Sequence, residues 1–272
     1  MNKKTVSILG CGWLGKALAE SLIRKNYIVK GSVTKEEKLD TLQQLNIIPY
    51  QLKLTSLGIT GKNPEDFFQC DSLVISISPG RDEIKNNEFL EGINQLFSVL
   101  KDKNSQTIFV SSTSVYPDIN KIVKEEDALN PEKSSGKVLL AAEKILMHHP
   151  VNATCIRFGG LIGYDRMPAK FLSGKKDLKN GNAPVNLIHR DDCVSIIELI
   201  IEKEIKNEIF NACMGQHPLR KDFYSSAAEK AGLPIPQFSD DTNADYKIVI
   251  SERLKKALGF NFKFDSPYDT LK

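Results

Sequence analysis

Apolar and polar positions along the chain alternate in two recurring periods. "TVSILG" is a short apolar run stopped by glycine, the pattern of a buried strand. "WLGKALAESLIRKN" follows, with Leu14, Leu18, Leu22 and Ile23 on one helical stripe and a basic end that suits a helix C-terminus. "YIVKGSV" reads as a second strand and "KEEKLDTLQQL" as a helix with a polar face. "IIPYQL", "SLVISIS" and "QTIFVSS" give three more strands, with a helix from Glu88 to Lys101 between the last two. A helix over "NPEKSSGKVLLAAEKIL" and a sixth strand, "ATCIRFGG", complete the series. Strands alternating with helices at this spacing form a parallel sheet, wound right-handedly with helices on both faces.

After Gly163 the rhythm changes. "YDRMPAKFLSGKKDLKNGNAP" is polar and turn-rich and reads as a substrate-side insertion. "RDDCVSIIELIIEK" is a helix capped by Asp191 or Asp192, and "EIFNACM" is a further strand. "LRKDFYSSAAEKAG" is a helix ended by Gly232, and "ADYKIVISERLKKALGF" a strand and a short helix. The expected fold class is α/β, a Rossmann-type doubly wound parallel sheet of about seven strands. Residues 1–163 would form the dinucleotide-binding core. Residues 164–272 would add the insertion, the last core strand and a small C-terminal substrate lobe, packed with the core as one compact unit.

Composition excludes more than it specifies. A chain of 272 residues, 41% hydrophobic and 26% charged, has the make-up of an ordinary soluble globular protein. A net charge of +3, with no Lys/Arg block, gives no nucleic-acid footprint. No apolar run approaches the roughly 20 residues a membrane span needs, so no membrane partner is expected. The apolar run after Lys3 and Lys4 is cut by Gly10, Gly12 and Gly15, unlike a signal peptide. Cys11, Cys70, Cys155, Cys193 and Cys213 contain no C-x-x-C pair. They read as buried small hydrophobes of a reducing, cytoplasmic compartment, with no metal or disulfide role.

Candidate chemistry begins at "GCGWLG", which sets Gly10, Gly12 and Gly15 after a strand and at a helix start. The first glycine allows the tight turn, the second lets backbone approach a pyrophosphate, and the third lets helix and strand pack closely. The helix N-terminus adds N–H groups and a positive dipole. Cys11, Trp13 and Leu14 accompany the glycines in the candidate cofactor set, with Cys11 and Trp13 read mainly as fillers of the turn. The end of the second strand, "GSVTKEE", offers Thr34 and Lys35 where an NAD site wants a carboxylate for the ribose 2′-OH. Lys35 would welcome a 2′-phosphate, so NADP is the expected cofactor; Glu36 and Glu37, just beyond, leave NAD open. Ser76 and Ser111, at the ends of later strands, complete the cofactor set.

In this order, "GCGWLG", "FVSSTSVYPD", "IRFGGLIGYDR" and "VNLIHRDDCVSII" resemble the extended short-chain dehydrogenase/reductases, the epimerase/dehydratase-like group, and most of all its small atypical branch. The resemblance spans residues 5 to about 215. It implies that Ser112 would hydrogen-bond a substrate oxygen near the nicotinamide, with Tyr116 or a water as proton carrier. The residue-level alternatives are a loop-tying hydroxyl for Ser112 and a structural ring for Tyr116. Within "IHRDD", His189 reads as a hydrogen-bonding core residue.

The departure lies in "SSGKVLLAAEKIL". The family's Tyr-x-x-x-Lys belongs on this helix; counting back from Glu143 puts its Lys position at Leu139 and its Tyr position at Ser135. Lys137 falls near the opposite side, with Lys133 and Lys144 on one solvated stripe. Tyr268 and Lys272 have the right spacing but close the chain, and read as coincidence. The expected function is an atypical NADP-dependent oxidoreductase or epimerase/dehydratase-like enzyme on a small carbonyl or hydroxyl substrate. The alternative is a non-catalytic NADP-binding sensor. Oligomeric state is not legible in the sequence.

Overall fold

The buried stripe of the first helix explains how the chain starts. In a computed structural model, which describes residues 3–80, 82–100, 105–149, 152–239 and 244–271, β1 (Thr5–Leu9) is followed by α1 (Trp13–Arg24). Leu14, Leu18, Ala19 and Leu22 of α1 are buried, as are Val6, Ile8 and Leu9 of β1. The chain continues through β2 (Ile28–Val33), α2 (Leu39–Gln44), β3 (Ile48–Thr55), β4 (Gly58–Gly61), α3 (Pro64–Phe67) and β5 (Ser72–Ile75). Next come α4 (Glu83–Val99), β6 (Gln106–Ser112), β7 (Lys121–Val123), α5 (Ser134–His148) and β8 (Asn152–Phe158). The remainder is β9 (Gly160–Ile162), α6 (Pro168–Leu172), β10 (Leu187–His189), α7 (Arg190–Glu202), β11 (Ile209–Ala212), α8 (Arg220–Lys230), β12 (Lys247–Val249) and α9 (Glu252–Leu258).

Eight strands form the main sheet in the order β11-β8-β6-β5-β1-β2-β3-β4. β1 pairs in parallel with both β2 and β5, β2 with β3, and β5 with β6. The winding direction therefore reverses at β1, and a doubly wound sheet opens its ligand crevice beyond the strand C-termini at such a switch point. The strand beyond the expected seven is β4, antiparallel to β3 across a two-residue turn. Its sequence, Gly58 to Gly61, is too short and glycine-rich to show strand alternation. α4 starts before Glu88 because the Asp82 carboxylate accepts a hydrogen bond from the Lys85 N–H at 2.9 Å and caps it. Lys101, the expected end of that helix, lies outside the described residues.

Contacts divide the chain into two compact units, and not at residue 163. One takes the chain up to Ser111, Lys133–Ile156 and Val194–Ile209; the other takes Ser112–Glu132, Arg157–Cys193 and the chain from Phe210 onward. The C-terminal half of the sequence is thus shared between both units.

In the first unit, buried polar groups tie helices to the sheet. The Ser7 hydroxyl donates to the Phe67 carbonyl at 2.5 Å, and the Gln106 amide donates to the carbonyls of Ile200 and Ile205. The second unit packs Ile162, Val185, Leu187, Met214 and Phe223 into a cluster with Tyr224, Phe264, Tyr268 and Leu271 around it. Tyr268 is therefore a packing residue, edge-on to Phe223 at 5.7 Å; Lys272 lies outside the described residues. Two short parallel pairs, β9 with β10 and β7 with β12, frame this unit.

Asp191 and Asp192 lie within the first turn of α7. Asp192 accepts the backbone N–H groups of Lys263 and Phe264 at 2.8 and 3.3 Å, and Asp191 accepts from the Lys263 ammonium and the Tyr164 hydroxyl, each at 2.8 Å. The carboxylates expected at the N-cap lie inside the helix instead, and they fasten a distant segment. His189 is buried, and its Nδ1 accepts the Asp191 N–H at 3.2 Å. No helix among the described residues is long and apolar enough to cross a membrane.

Candidate functional site

The glycine loop lies at the C-terminal end of β1, beside the loop that leaves β5. Gly10 has φ +100°, and a Cβ on it would stand 2.6 Å from the Ser76 carbonyl oxygen. Only glycine fits this turn. Its N–H donates to the Ser32 hydroxyl at 2.9 Å, and the Cys11 N–H donates to the Ser32 carbonyl at 2.8 Å, so β2 anchors the loop twice. A Cβ on Gly15 would meet the Gly10 carbonyl oxygen at 2.5 Å, which is how α1 packs against β1. Gly12 differs from both, because a Cβ there meets nothing within 4 Å. It is the N-cap of α1, with no side-chain cap and no acidic residue in the first turn. The positive pole of a 12-residue helix is left without a carboxylate beside an open, side-chain-free surface.

Beside the loop lies a cavity of ≈ 180 Å³ walled by Gly10, Gly12, Ser32, Thr34, Leu52 and Ile77, with Lys38 at its edge. Among the described residues no carboxylate lines it, and Lys38 is the only charged one in the lining. Lys35 is exposed and sits 3.4 Å from the Glu37 carboxylate. The short 3₁₀ turn over Glu36–Lys38 carries the chain round, so the lysine at the cavity is the one three positions later. Sequence reasoning missed Lys38 because linear distance from the strand end does not show that rotation.

The other candidate cofactor residues separate. Leu14 is a core residue of α1. The Cys11 thiol is buried against Gly31, where an added Cβ would lie 2.6 Å from the sulfur, and burial pushes the thiol up to about 12. Trp13 opens α1 half-buried. Ser76 contributes its backbone to the Gly10 turn. The Ser111 hydroxyl donates to the buried Glu143 carboxylate of α5 at 2.5 Å, which commits it within the fold.

The candidate catalytic pair belongs to the second unit. The Ser112 hydroxyl accepts the Ser114 N–H at 3.2 Å, opening a 3₁₀ turn, and keeps its own proton to donate. Tyr116 is only 1% exposed. Its hydroxyl donates to the Asn211 side-chain carbonyl and accepts from the Arg157 guanidinium, both at 2.6 Å. Burial pushes the phenol up to about 12, although the adjacent Arg157 charge opposes this. A phenol so enclosed and engaged fits the structural ring, the residue-level alternative for Tyr116, better than the proton carrier that the resemblance implies. Arg157 also donates to the Glu125 carbonyl at 2.7 Å, and the Glu125 carboxylate accepts the Asn211 N–H at 2.9 Å. On α5, Ser135 and Lys137 are exposed and Leu139 is buried.

A family model described as the NAD dependent epimerase/dehydratase family matches residues 6–213, from the glycine loop to β11. The chain belongs to that family. Protein YeeZ of Escherichia coli (strain K12) is 33% identical to it over 268 residues, 97% of each chain. A short-chain dehydrogenase/reductase superfamily protein from Agrobacterium tumefaciens with bound NAD superposes with a TM-score of 0.80 at 17% identity, covering 98% of this chain and 94% of that one. UDP-glucuronic acid 4-epimerase from Bacillus cereus, in complex with UDP-glucuronic acid and NAD, gives 0.80 at 17% identity over 98% and 96%. At such identities the likeness is one of fold. In this chain α5 carries the apolar Leu139 and no tyrosine.

Proposed function

We propose that the protein is an NADP-binding enzyme of the oxidoreductase or epimerase type, acting on a small substrate that carries a hydroxyl or carbonyl group. The observation that carries this reading is the glycine cradle, open at Gly12, free of carboxylates and edged by Lys38. A bound nicotinamide dinucleotide supplies hydride exchange. The uncapped start of α1 and Gly12 would receive the pyrophosphate. Lys38 would meet the 2′-phosphate, and no side chain in the lining is suited to grip a 2′-hydroxyl as an Asp or Glu does. Ser112 would donate to the substrate oxygen, with a water carrying the proton in place of Tyr116. The epimerase likeness makes nucleotide sugars the first substrates to screen.

Lys38→Glu is expected to weaken NADPH binding by about tenfold or more, the scale of one charge-assisted contact, while NADH binding holds or improves. Lys35→Glu should change neither by more than about twofold, because an exposed lysine contributes little at a distance. Fluorescence titration of both variants checks this. A response at Lys35 with none at Lys38 would return the selector to Lys35.

A second reading, cofactor binding without turnover, is favoured by the enclosure of Tyr116 and by Leu139. Tyr116→Phe and Ser112→Ala separate the two in a screen that follows NADPH absorbance for net reduction and substrate-to-product conversion for epimerisation, which returns its hydride and consumes no cofactor. The enzyme reading expects Tyr116→Phe to keep turnover within about threefold, against the roughly 10²–10⁴ that a positioned proton donor is worth. It expects Ser112→Ala to lose turnover without unfolding. Absence of turnover with any carbonyl or nucleotide-sugar substrate, in a protein that binds NADPH, establishes the second reading.

A further inference from the structure

The second unit holds a larger cavity that neither the glycine cradle nor Ser112 uses. It measures ≈ 320 Å³ and lies between the Tyr164 turn with α6 on one side and the end of α8 on the other, with Thr270 and Leu271 closing it. Cavities that take small molecules begin at about 300 Å³. Its lining includes two small residues one helical turn apart, the buried Ala227 and the exposed Ala231 that caps the end of α8. Among the described residues Lys230 is the only charged one in the lining, and it has no ion-pair or hydrogen-bond partner among them.

At the mouth stands Tyr164, in a backbone conformation a bulky residue seldom adopts, with φ +55°. The turn is closed by paired bonds between the backbones of Gly163 and Arg166, at 3.0 and 3.2 Å. The ring is then fixed by its hydroxyl, which donates to Asp191 at 2.8 Å, and by the Arg190 guanidinium 4.1 Å from the ring centroid. The His189 ring, 5.5 Å away, supports it further. Despite these restraints Tyr164 is 57% exposed, and Met167, which also lines the cavity, is 38% exposed. A strained aromatic held at several points and still open to solvent is organised for a contact that the folded chain itself does not make.

We propose that this cavity is a second small-molecule site, for a planar aromatic ring carrying an anionic group. The ring packs on Tyr164 and Met167 against Ala227 and Ala231. The anionic group, carboxylate or phosphate, pairs with Lys230. The site is independent of the dinucleotide reading, because every residue it uses belongs to the second unit and none to the glycine cradle.

Titration calorimetry of the full chain with 2-naphthoate and with 2-naphthamide, which share the rings and differ in charge, tests the proposal. One saturable site is expected, with the carboxylate favoured about tenfold, the scale of one charge-assisted contact. Lys230→Glu should erase that preference, and Ala231→Leu, which enlarges an exposed lining side chain, should lose both probes while leaving the melting temperature unchanged. Gly12→Val should bind 2-naphthoate as the parent does, which separates this site from the cradle. Absence of saturable binding, 2-naphthoate binding undiminished in Lys230→Glu, either probe undiminished in Ala231→Leu, or loss of 2-naphthoate binding in Gly12→Val overturns the proposal.

Discussion

Gly12→Val is expected to reduce dinucleotide affinity about a hundredfold, roughly 2.7 kcal/mol, and to leave folding stability almost untouched. Both halves of that result come from one feature. A Cβ on Gly12 meets no protein atom within 4 Å, so the folded chain tolerates it, but the space it enters is the approach to the α1 N-terminus. Gly15→Val makes the contrast. Its Cβ would lie 2.5 Å from the Gly10 carbonyl oxygen, so helix and strand must part, at a cost of about 1–3 kcal/mol in stability. Chemical denaturation alongside dinucleotide titration separates the two substitutions. If Gly12→Val bound dinucleotide as the parent does, the pyrophosphate would have to lie elsewhere.

Arg157→Ala is expected to destabilise the protein by about 3–5 kcal/mol, the usual result of removing one partner from a buried, charged hydrogen-bond network. Arg157 is 2% exposed, and its loss would leave the Tyr116 hydroxyl and the Glu125 carbonyl short of a donor. Tyr116→Phe should cost less, about 1–3 kcal/mol, since it removes a neutral partner but leaves Arg157 its bond to Glu125. Urea denaturation of both variants gives the order. A reversed order would mean that the phenol, rather than the guanidinium, organises this part of the unit.

The sheet was legible in the sequence because its strands are buried and its helices striped, and the two periods differ enough to be told apart. The glycine loop was legible for a related reason: each glycine answers a local demand, whether a positive φ, an open surface or a close approach. β4 was not, since four residues including two glycines carry no period. Long-range polar pairing was equally invisible. Tyr116 finds Arg157 41 residues on and Asn211 95 residues on, and Asp192 finds Lys263 71 residues on. The family resemblance therefore suggested an available phenol, and local pattern a helix cap, where the fold has an enclosed network and a clamp. Lys35 and Lys38 differ by three positions, and only the 3₁₀ turn between them decides which one meets the cavity.

The central claim is that this cradle selects NADP, and the ratio of NADPH to NADH dissociation constants for the unmodified protein tests it most directly. Measured by calorimetry at low salt, where the lysine charge is least screened, NADPH is predicted to bind at least about tenfold tighter than NADH, the scale of one charge-assisted contact to the 2′-phosphate. Equal affinities, or tighter binding of NADH, would contradict the account.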